Sequence, residues 1–281
     1  MAELFRLFYA GLSTRDLEDH FVAKGLSVSH VTLWKWVLAI SHLVYTYSSR
    51  LRPAVADEWY ADEMRVGKYW LVFVYDRATH LILAGAVILS RSTARLRRIL
   101  RTARITAGKC PKKLRTDGCP GYRQACKQEY GPGVHDWKAK NEVGGFGHIN
   151  FQEGSQRPTR ARIDAMAGFH GTQEEVQDLV EGYVTYHDYI DSSPSAGNRT
   201  PGEVSAIAWL GDDPALTLIW NALGGESCIS LRRHAPRRRN MILLTRWIPA
   251  VYTMLHFLGR RRRARSVEKR VSLDRPIRAW C

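Results

Sequence analysis

The chain has 281 residues, enough for one large domain or two ordinary ones with proper cores, and its 45% apolar and 25% charged content is that of a globular protein rather than a disordered one. A formal net charge of +15 points to a polyanionic partner, nucleic acid before anionic membrane. The charge is uneven: from Ile207 to Cys281 there are 15 Lys/Arg against 5 Asp/Glu, a net of +10, which leaves +5 for residues 1–206.

The first 50 residues read as helices. Leu4, Phe5, Phe8 and Tyr9 are helically spaced and Gly11 ends their segment. Ser13 then caps a second helix with Leu17, Phe21 and Val22 as its apolar face up to Gly25. Ser27 or Ser29 caps a third, whose expected apolar face is Val31, Trp34, Val37 and Leu38. Two helices joined by a glycine-containing turn fit a helix-turn-helix, which would leave His30, Thr32, Lys35 and Trp36 off the apolar face as candidates for facing DNA. A plain helical bundle fits the same pattern.

After Ala54 the period changes. Ala56–Val66, Tyr69–Tyr75 and Leu81–Leu89 read as strands, the last two joined across Asp76-Arg77-Ala78-Thr79. Ser92–Ala107 reads as a basic amphipathic helix with Leu96, Ile99, Leu100 and Ile105 inward and most arginines outward. Lys113–Thr116 is a short strand, Tyr122–Tyr130 a helix, Val134–Trp137 a strand and Glu174–Ile190 a long helix. A Gly-rich loop, Gly144-Gly145-Phe146-Gly147, and a turn-rich stretch, Pro194–Pro201, lie between and after them. Three strands, a helix, then alternating strand and helix predict a mixed α/β sheet covered by helices.

Three acids carry the chemistry. Asp117 sits in Thr116-Asp117-Gly118 at a predicted strand end, where open α/β sheets place their ligands, and Glu153 follows it by 36 positions. The first acid is either Asp57 or Asp62, from the near-duplicates Ala56-Asp57-Glu58 and Ala61-Asp62-Glu63; five residues apart, the two point to opposite faces of a strand. Such a trio suits a two-metal phosphoryl-transfer site, which needs hard oxygen ligands. The odd set of five cysteines forms no CxxC pair, which argues against zinc or disulfide frameworks and for a reducing cytosol. Met241–Leu258 is mostly apolar but interrupted by Arg246, Pro249 and His256, so no membrane span is expected.

Several stretches taken in order resemble one family. They are Gly11–Glu18, Val28-Ser29-His30-Val31-Thr32 with Trp36-Val37, Trp59-Tyr60-Ala61-Asp62-Glu63-Met64, and Thr116-Asp117-Gly118 with Gly121-Tyr122. Asn150-Phe151-Gln152-Glu153, then Arg162, Met166, Gly168 and Phe169, and finally Thr200-Pro201-Gly202-Glu203 complete the set. The chain resembles prokaryotic insertion-sequence transposases of the DDE superfamily, and within it the insertion-sequence-six group, over roughly residues 4–207. The resemblance implies a helix-turn-helix over residues 1–50 and a ribonuclease H-like core with a mixed five-stranded sheet over 54–207; residues 208–281 are a basic extension with no counterpart in the family. It implies Asp62, Asp117 and Glu153 as catalytic metal ligands, Asp62 because the first aspartate follows a tryptophan by three positions; Asp57 stays as the alternative, restoring the usual hairpin length. It further implies Mg²⁺ with Mn²⁺ able to substitute, DNA as partner in the form of terminal inverted repeats and target, a homo-oligomer, and a cytoplasmic, nucleoid-associated location. His30, Thr32 and Lys35, with Arg95 and Arg98 on the basic helix, are the DNA-contacting candidates.

The chain departs from the family after the glutamate. Gly154 and Gln156 stand where an arginine and a histidine are usual, Pro158 falls within the expected glutamate-bearing helix, and the usual Arg-Pro-His is absent near Asp191-Ser192-Ser193. A DNA-binding protein without catalysis is therefore the rival reading, and a nuclease on the same core a third. Beyond Ile207, the runs Arg237-Arg238-Arg239 and Arg260–Arg263 either grip phosphates or belong to an unselected extension.

Overall fold

The computed structural model describes residues 1–116, 119–137, 171–192, 197–207 and 210–225. Asp117, Glu153, the Gly-rich loop, Met241–Leu258 and the arginine runs of the tail lie outside the described residues. Among the described residues, no helix is long and apolar enough to cross a membrane.

The elements in chain order are α1 (Ala2–Tyr9), α2 (Thr14–Ala23), α3 (His30–Ser48), β1 (Glu58–Val66), β2 (Tyr69–Asp76), β3 (Ile82–Ile88), α4 (Thr93–Ala107), β4 (Lys113–Thr116), α5 (Pro120–Tyr130), β5 (His135–Trp137), α6 (Gln173–Tyr189), α7 (Pro201–Val204) and α8 (Pro214–Ala222). The expected mixed sheet is present. Its strand order is β3-β2-β1-β4-β5, antiparallel between β1, β2 and β3 and parallel from β1 through β4 to β5. Strand order, direction and flanking helices are those of a ribonuclease H-like core.

Alternation divides the sheet into two faces. Leu71, Phe73 and Tyr75 of β2 join Met64 of β1 in one cluster with α1, α2, α3 and α6. Val72 and Val74 join Trp59 and Ala61 in a second cluster, under α4 and α5. With both faces covered, β2 reads as an almost unbroken apolar run. The β2–β3 turn is organised by buried Asp76, whose carboxylate accepts from Ala56 N at 2.8 Å, Thr79 N at 3.0 Å and Thr79 Oγ1 at 2.8 Å.

The first three helices are not a detached bundle. Their apolar residues share one core with the sheet and α6, and α8, beyond residue 207, adds Leu218 and Ile219 to it. The closest approach is between α3 and α6. Tyr9 hydroxyl lies 2.7 Å from Ser41 Oγ and donates to Leu179 O at 3.0 Å, and Ser48 Oγ meets Thr185 Oγ1 at 3.2 Å. A Cβ at Gly182 would fall 2.1 Å from the Tyr9 hydroxyl and 2.3 Å from Ser41 Oγ, so only glycine allows this packing.

At the outer strand β3, α6 supplies polar side chains where a neighbouring strand would have lain. Gln177 accepts from Val87 N at 2.8 Å and donates to Gly85 O at 3.1 Å, Gln173 donates to Val87 O at 3.1 Å, and Asp188 accepts from Ile82 N at 3.0 Å. Buried backbone groups that lack a ladder partner are satisfied in this way.

Three expected core positions are exposed instead: Val22 (54%), Val31 (50%) and Ile105 (59%). Helical phase explains two of them. The buried stripe of α4 is Leu96, Ile99, Leu100 and Ala103, and Ile105, two residues past Ala103, lies about 200° round the helix. On α2 the stripe is Leu17 and Phe21, and Val22 lies about 100° past Phe21. Val31 is in line with buried Leu38 of α3 but sits in the first turn, where it is exposed.

Candidate active site

Asp62 lies in the middle of β1, the central strand, opposite Phe73 of β2. Phe73 belongs to the cluster under α3 and α6, so Asp62, half-buried, is on that face of the sheet. Its Oδ1 accepts from Glu63 N at 2.8 Å.

The parallel register of β1 with β4 is Glu58 with Lys113, Trp59 with Leu114, and Tyr60 with Arg115. Leu114 and Thr116 point into the core and Arg115 points the other way, its guanidinium carbon 5.7 Å from the centroid of the Tyr60 ring. Around that pair the face is polar. Arg115 bridges Glu58 and Asp136, Arg77 reaches Glu58 at 2.5 Å, and Lys113 lies 3.4 Å from Asp136. Thr116, the last described residue of β4, meets His135 Nε2 of β5 at 2.9 Å through its hydroxyl, and burial holds the His135 pKa below the ordinary histidine value.

Asp57 is elsewhere. It precedes β1, level with the start of β4: its carbonyl accepts from Lys112 N at 2.7 Å and Lys113 N at 3.1 Å. Its carboxylate is taken by two lysines, Lys109 Nζ at 2.8 Å and Lys112 Nζ at 2.6 Å, whose hydrogen bonds bring its pKa down to about 2. Five strand residues, roughly 16 Å of extended chain, separate it from Asp62.

The DNA-contacting candidates divide. On α3, His30 is tied to α2, with Glu18 Oε2 accepting from its backbone N at 3.0 Å and lying 2.8 Å from Nδ1. Thr32 is engaged with the helix cap, its Oγ1 3.0 Å from Ser29 Oγ. Lys35 is exposed and makes no ion pair among the described residues. On α4 the arginines are not simply outward. Arg97, Arg101 and Arg104, one stripe of the helix, converge on the buried carboxylate of Glu129 in α5 at 3.3, 3.4 and 2.9 Å. Arg95 donates to Ser90 Oγ at 2.6 Å, and Arg95 and Arg98 line a groove of about 370 Å³ along β3, facing Gln173 and Gln177. α4 itself packs under Trp59 and Ala61, on the face opposite Asp62, but Arg95 and Arg98 reach the β3 edge, where α6 from the other face closes the groove. The stripe at 97, 101 and 104 was visible in the sequence; its partner Glu129, 25 residues beyond Arg104, was not.

No protein-family model matches the chain, and no curated protein matches its sequence. Solved structures do resemble it. The catalytic core domain of BIV integrase aligns at 16% identity over 54% of this chain and 94% of that one, with a TM-score of 0.40. A chain of the simian T-cell lymphotropic virus intasome aligns at 12% identity over 69% of this chain and 61% of that one, TM-score 0.40. The HTLV-2 integrase catalytic core domain, solved in complex with magnesium in a trimeric form, aligns at 12% identity over 55% of this chain and 99% of that one, TM-score 0.37.

Proposed function

We propose that the chain is an insertion-sequence transposase of the DDE superfamily, of the insertion-sequence-six group, that cuts and rejoins DNA at the terminal inverted repeats of its element. One observation carries the reading. Tyr60 and Arg115 are register partners on one sheet face; Asp62 follows Tyr60 by two residues on β1, and Asp117 is the next residue in sequence after Thr116, where β4 ends. Side chains two apart on a strand share a face, and consecutive Cα atoms are about 3.8 Å apart. The reading requires the two carboxylates to come side by side. The same register favours Asp62 over Asp57, which is occupied by lysines at the far end of β1. Glu153 enters on the sequence resemblance alone.

Asp62 offers oxygen donors on a half-buried face, a donor type that suits Mg²⁺ or Mn²⁺ better than zinc. Asp62, Asp117 and Glu153 would hold the ions, which when bound supply charge neutralisation for the attacking and leaving oxygens of phosphoryl transfer. The chain's own part is to position the scissile phosphate against that face. Lys35, with His30 and Thr32 beside it, would contact DNA from α3, which covers the same face. Arg95 and Arg98 would meet phosphates at the β3 edge. Joining two element ends implies a homo-oligomer in the cytoplasm, on the nucleoid.

The test is strand transfer of an end-bearing duplex into plasmid DNA with Mg²⁺ or Mn²⁺. Asp62→Asn is expected to lower transfer by more than about 100-fold, and Asp57→Asn to leave it nearly intact. Retained transfer in Asp62→Asn overturns the assignment. Gly154 and Gln156 favour one rival, a decayed transposase; it would shift end DNA specifically and never nick it in either metal.

A further inference from the structure

A second group of potential ligands lies where α3 crosses α6. His42 of α3 faces Asp178 and Glu181, which stand three residues apart on α6 and so share one face of that helix. Nδ1 of His42 is 3.4 Å from Asp178 Oδ1 and 3.7 Å from Glu181 Oε2, and the three ligand atoms all lie within 4.8 Å of one another. These gaps exceed the 2.7–3.2 Å of a good hydrogen bond. They approximate the spacing of donor atoms round a small cation: ligands ~2.0–2.1 Å from zinc in a tetrahedron are ~3.3–3.4 Å apart. Nδ1 is buried and meets no hydrogen-bond geometry among the described residues, but Asp178 and then Glu181 raise the imidazole pKa to about 9, so an entering ion must displace its proton; the ring as a whole is 38% exposed.

The surroundings hold these atoms in place. Gln177 donates to Glu181 Oε1 at 3.2 Å, leaving Oε2 turned toward His42, and Gln177 is itself fixed by Val87 N and Gly85 O of β3. One residue from His42, Ser41 meets the Tyr9 hydroxyl, and one residue from Glu181, Gly182 permits the close crossing. Outer hydrogen bonds of this kind orient ligands in protein metal sites. The carboxylates are 9% and 17% exposed.

We propose that His42, Asp178 and Glu181 bind one divalent transition-metal ion of the zinc class, clamping the N-terminal helices to α6. An imidazole nitrogen with two carboxylates suits Zn²⁺ or Co²⁺, whereas all-oxygen sets suit Mg²⁺. The site shares no residue with the acids of the proposed active site, and its occupancy does not depend on that reading.

The experiment is a titration of the full chain with Co²⁺, read by its visible absorption and by calorimetry, followed by displacement with Zn²⁺. One equivalent is expected to bind. His42→Gln should weaken it at least tenfold, and Asp57→Asn should leave it unchanged. No binding to the wild-type chain, undiminished affinity in His42→Gln, or loss in Asp57→Asn would each overturn the proposal. X-ray absorption on the zinc-loaded wild-type chain is independent of any variant. A shell of nitrogen and oxygen at about 2.0–2.1 Å is expected, and sulfur at about 2.3 Å would assign the ion to the cysteines instead.

Discussion

The imidazole of His135 and the hydroxyl of Thr116 lie 2.9 Å apart, joining β5 to the end of β4 one residue before Asp117. Burial, the largest influence on this histidine, opposes protonation, with Arg123 acting the same way and Asp136 against it. A histidine whose folded pKa is depressed binds fewer protons folded than unfolded. Its contribution to stability is therefore present above the unfolded value of 6.5 and lost as the pH falls below it. Urea melts between pH 7.5 and pH 5 should show His135→Gln gaining stability relative to the wild-type chain as the pH falls, the raised His42 being common to both proteins. An identical pH dependence in the two proteins would remove His135 as the cause.

Glu129 gathers three arginines, so its replacement should act on stability and DNA affinity in opposite directions. Glu129→Gln leaves Arg97, Arg101 and Arg104 mutually repulsive, and a loss of about 1–3 kcal/mol is expected; the arginines are 41–52% exposed, which keeps it from being larger. One buried negative charge of α5 is removed from beneath the arginine stripe of α4. If duplex DNA reaches that stripe, the slope of log K against log salt should steepen by about 0.9, and Arg98→Ala should flatten it by a similar amount. Fluorescence anisotropy at four or five salt concentrations measures both.

Gly182→Ala should be among the most damaging single-methyl changes in the protein, because the new Cβ would fall 2.1 Å from one oxygen and 2.3 Å from another. Relief requires α3 and α6 to separate, at a cost of about 1–3 kcal/mol or more. Adding Tyr9→Phe removes the nearer oxygen and should recover part of the loss. A double-mutant cycle by denaturant unfolding that shows strict additivity would contradict the contact.

Cys126 is buried on α5 and its thiol is pushed up to about 12 by burial, whereas Cys110 is exposed. At pH 8 almost none of the Cys126 side chain is thiolate. Native-state alkylation followed by mass spectrometry should label Cys110 at least about 100-fold faster, and denaturant should abolish the difference.

How far the residues could be read in advance depended on the range of the interaction. The alternation of β1, β2 and β3 and the phase of α4 are local, and they placed the central strand and its covering helix correctly. Ile105 and Val22 read as core on apolarity although helical phase puts both outside it, and Val31 is exposed at the start of α3 despite being in line with buried Leu38. The choice between Asp57 and Asp62 could not be made by inspection, because both are strand-region acids with near-identical neighbours. What separates them is pairing: Asp57 meets Lys109 and Lys112, more than 50 residues away, and Asp62 is defined by where β4 lies beside β1. The α3–α6 crossing was invisible for the same reason, since neither His42 nor Gly182 carries any local mark of a partner some 140 residues distant.

The glutamines that α6 lays against β3 also restrict how copies of this chain can meet. A bare outer strand is a template on which another sheet can grow, and many proteins polymerise or swap segments through one. Here Gly85 and Val87 already have their partners, supplied in cis. Copies of this chain that meet would have to do so elsewhere than by extending the sheet past β3. That block follows from the packing of the single chain, with no separate stop signal needed at that strand.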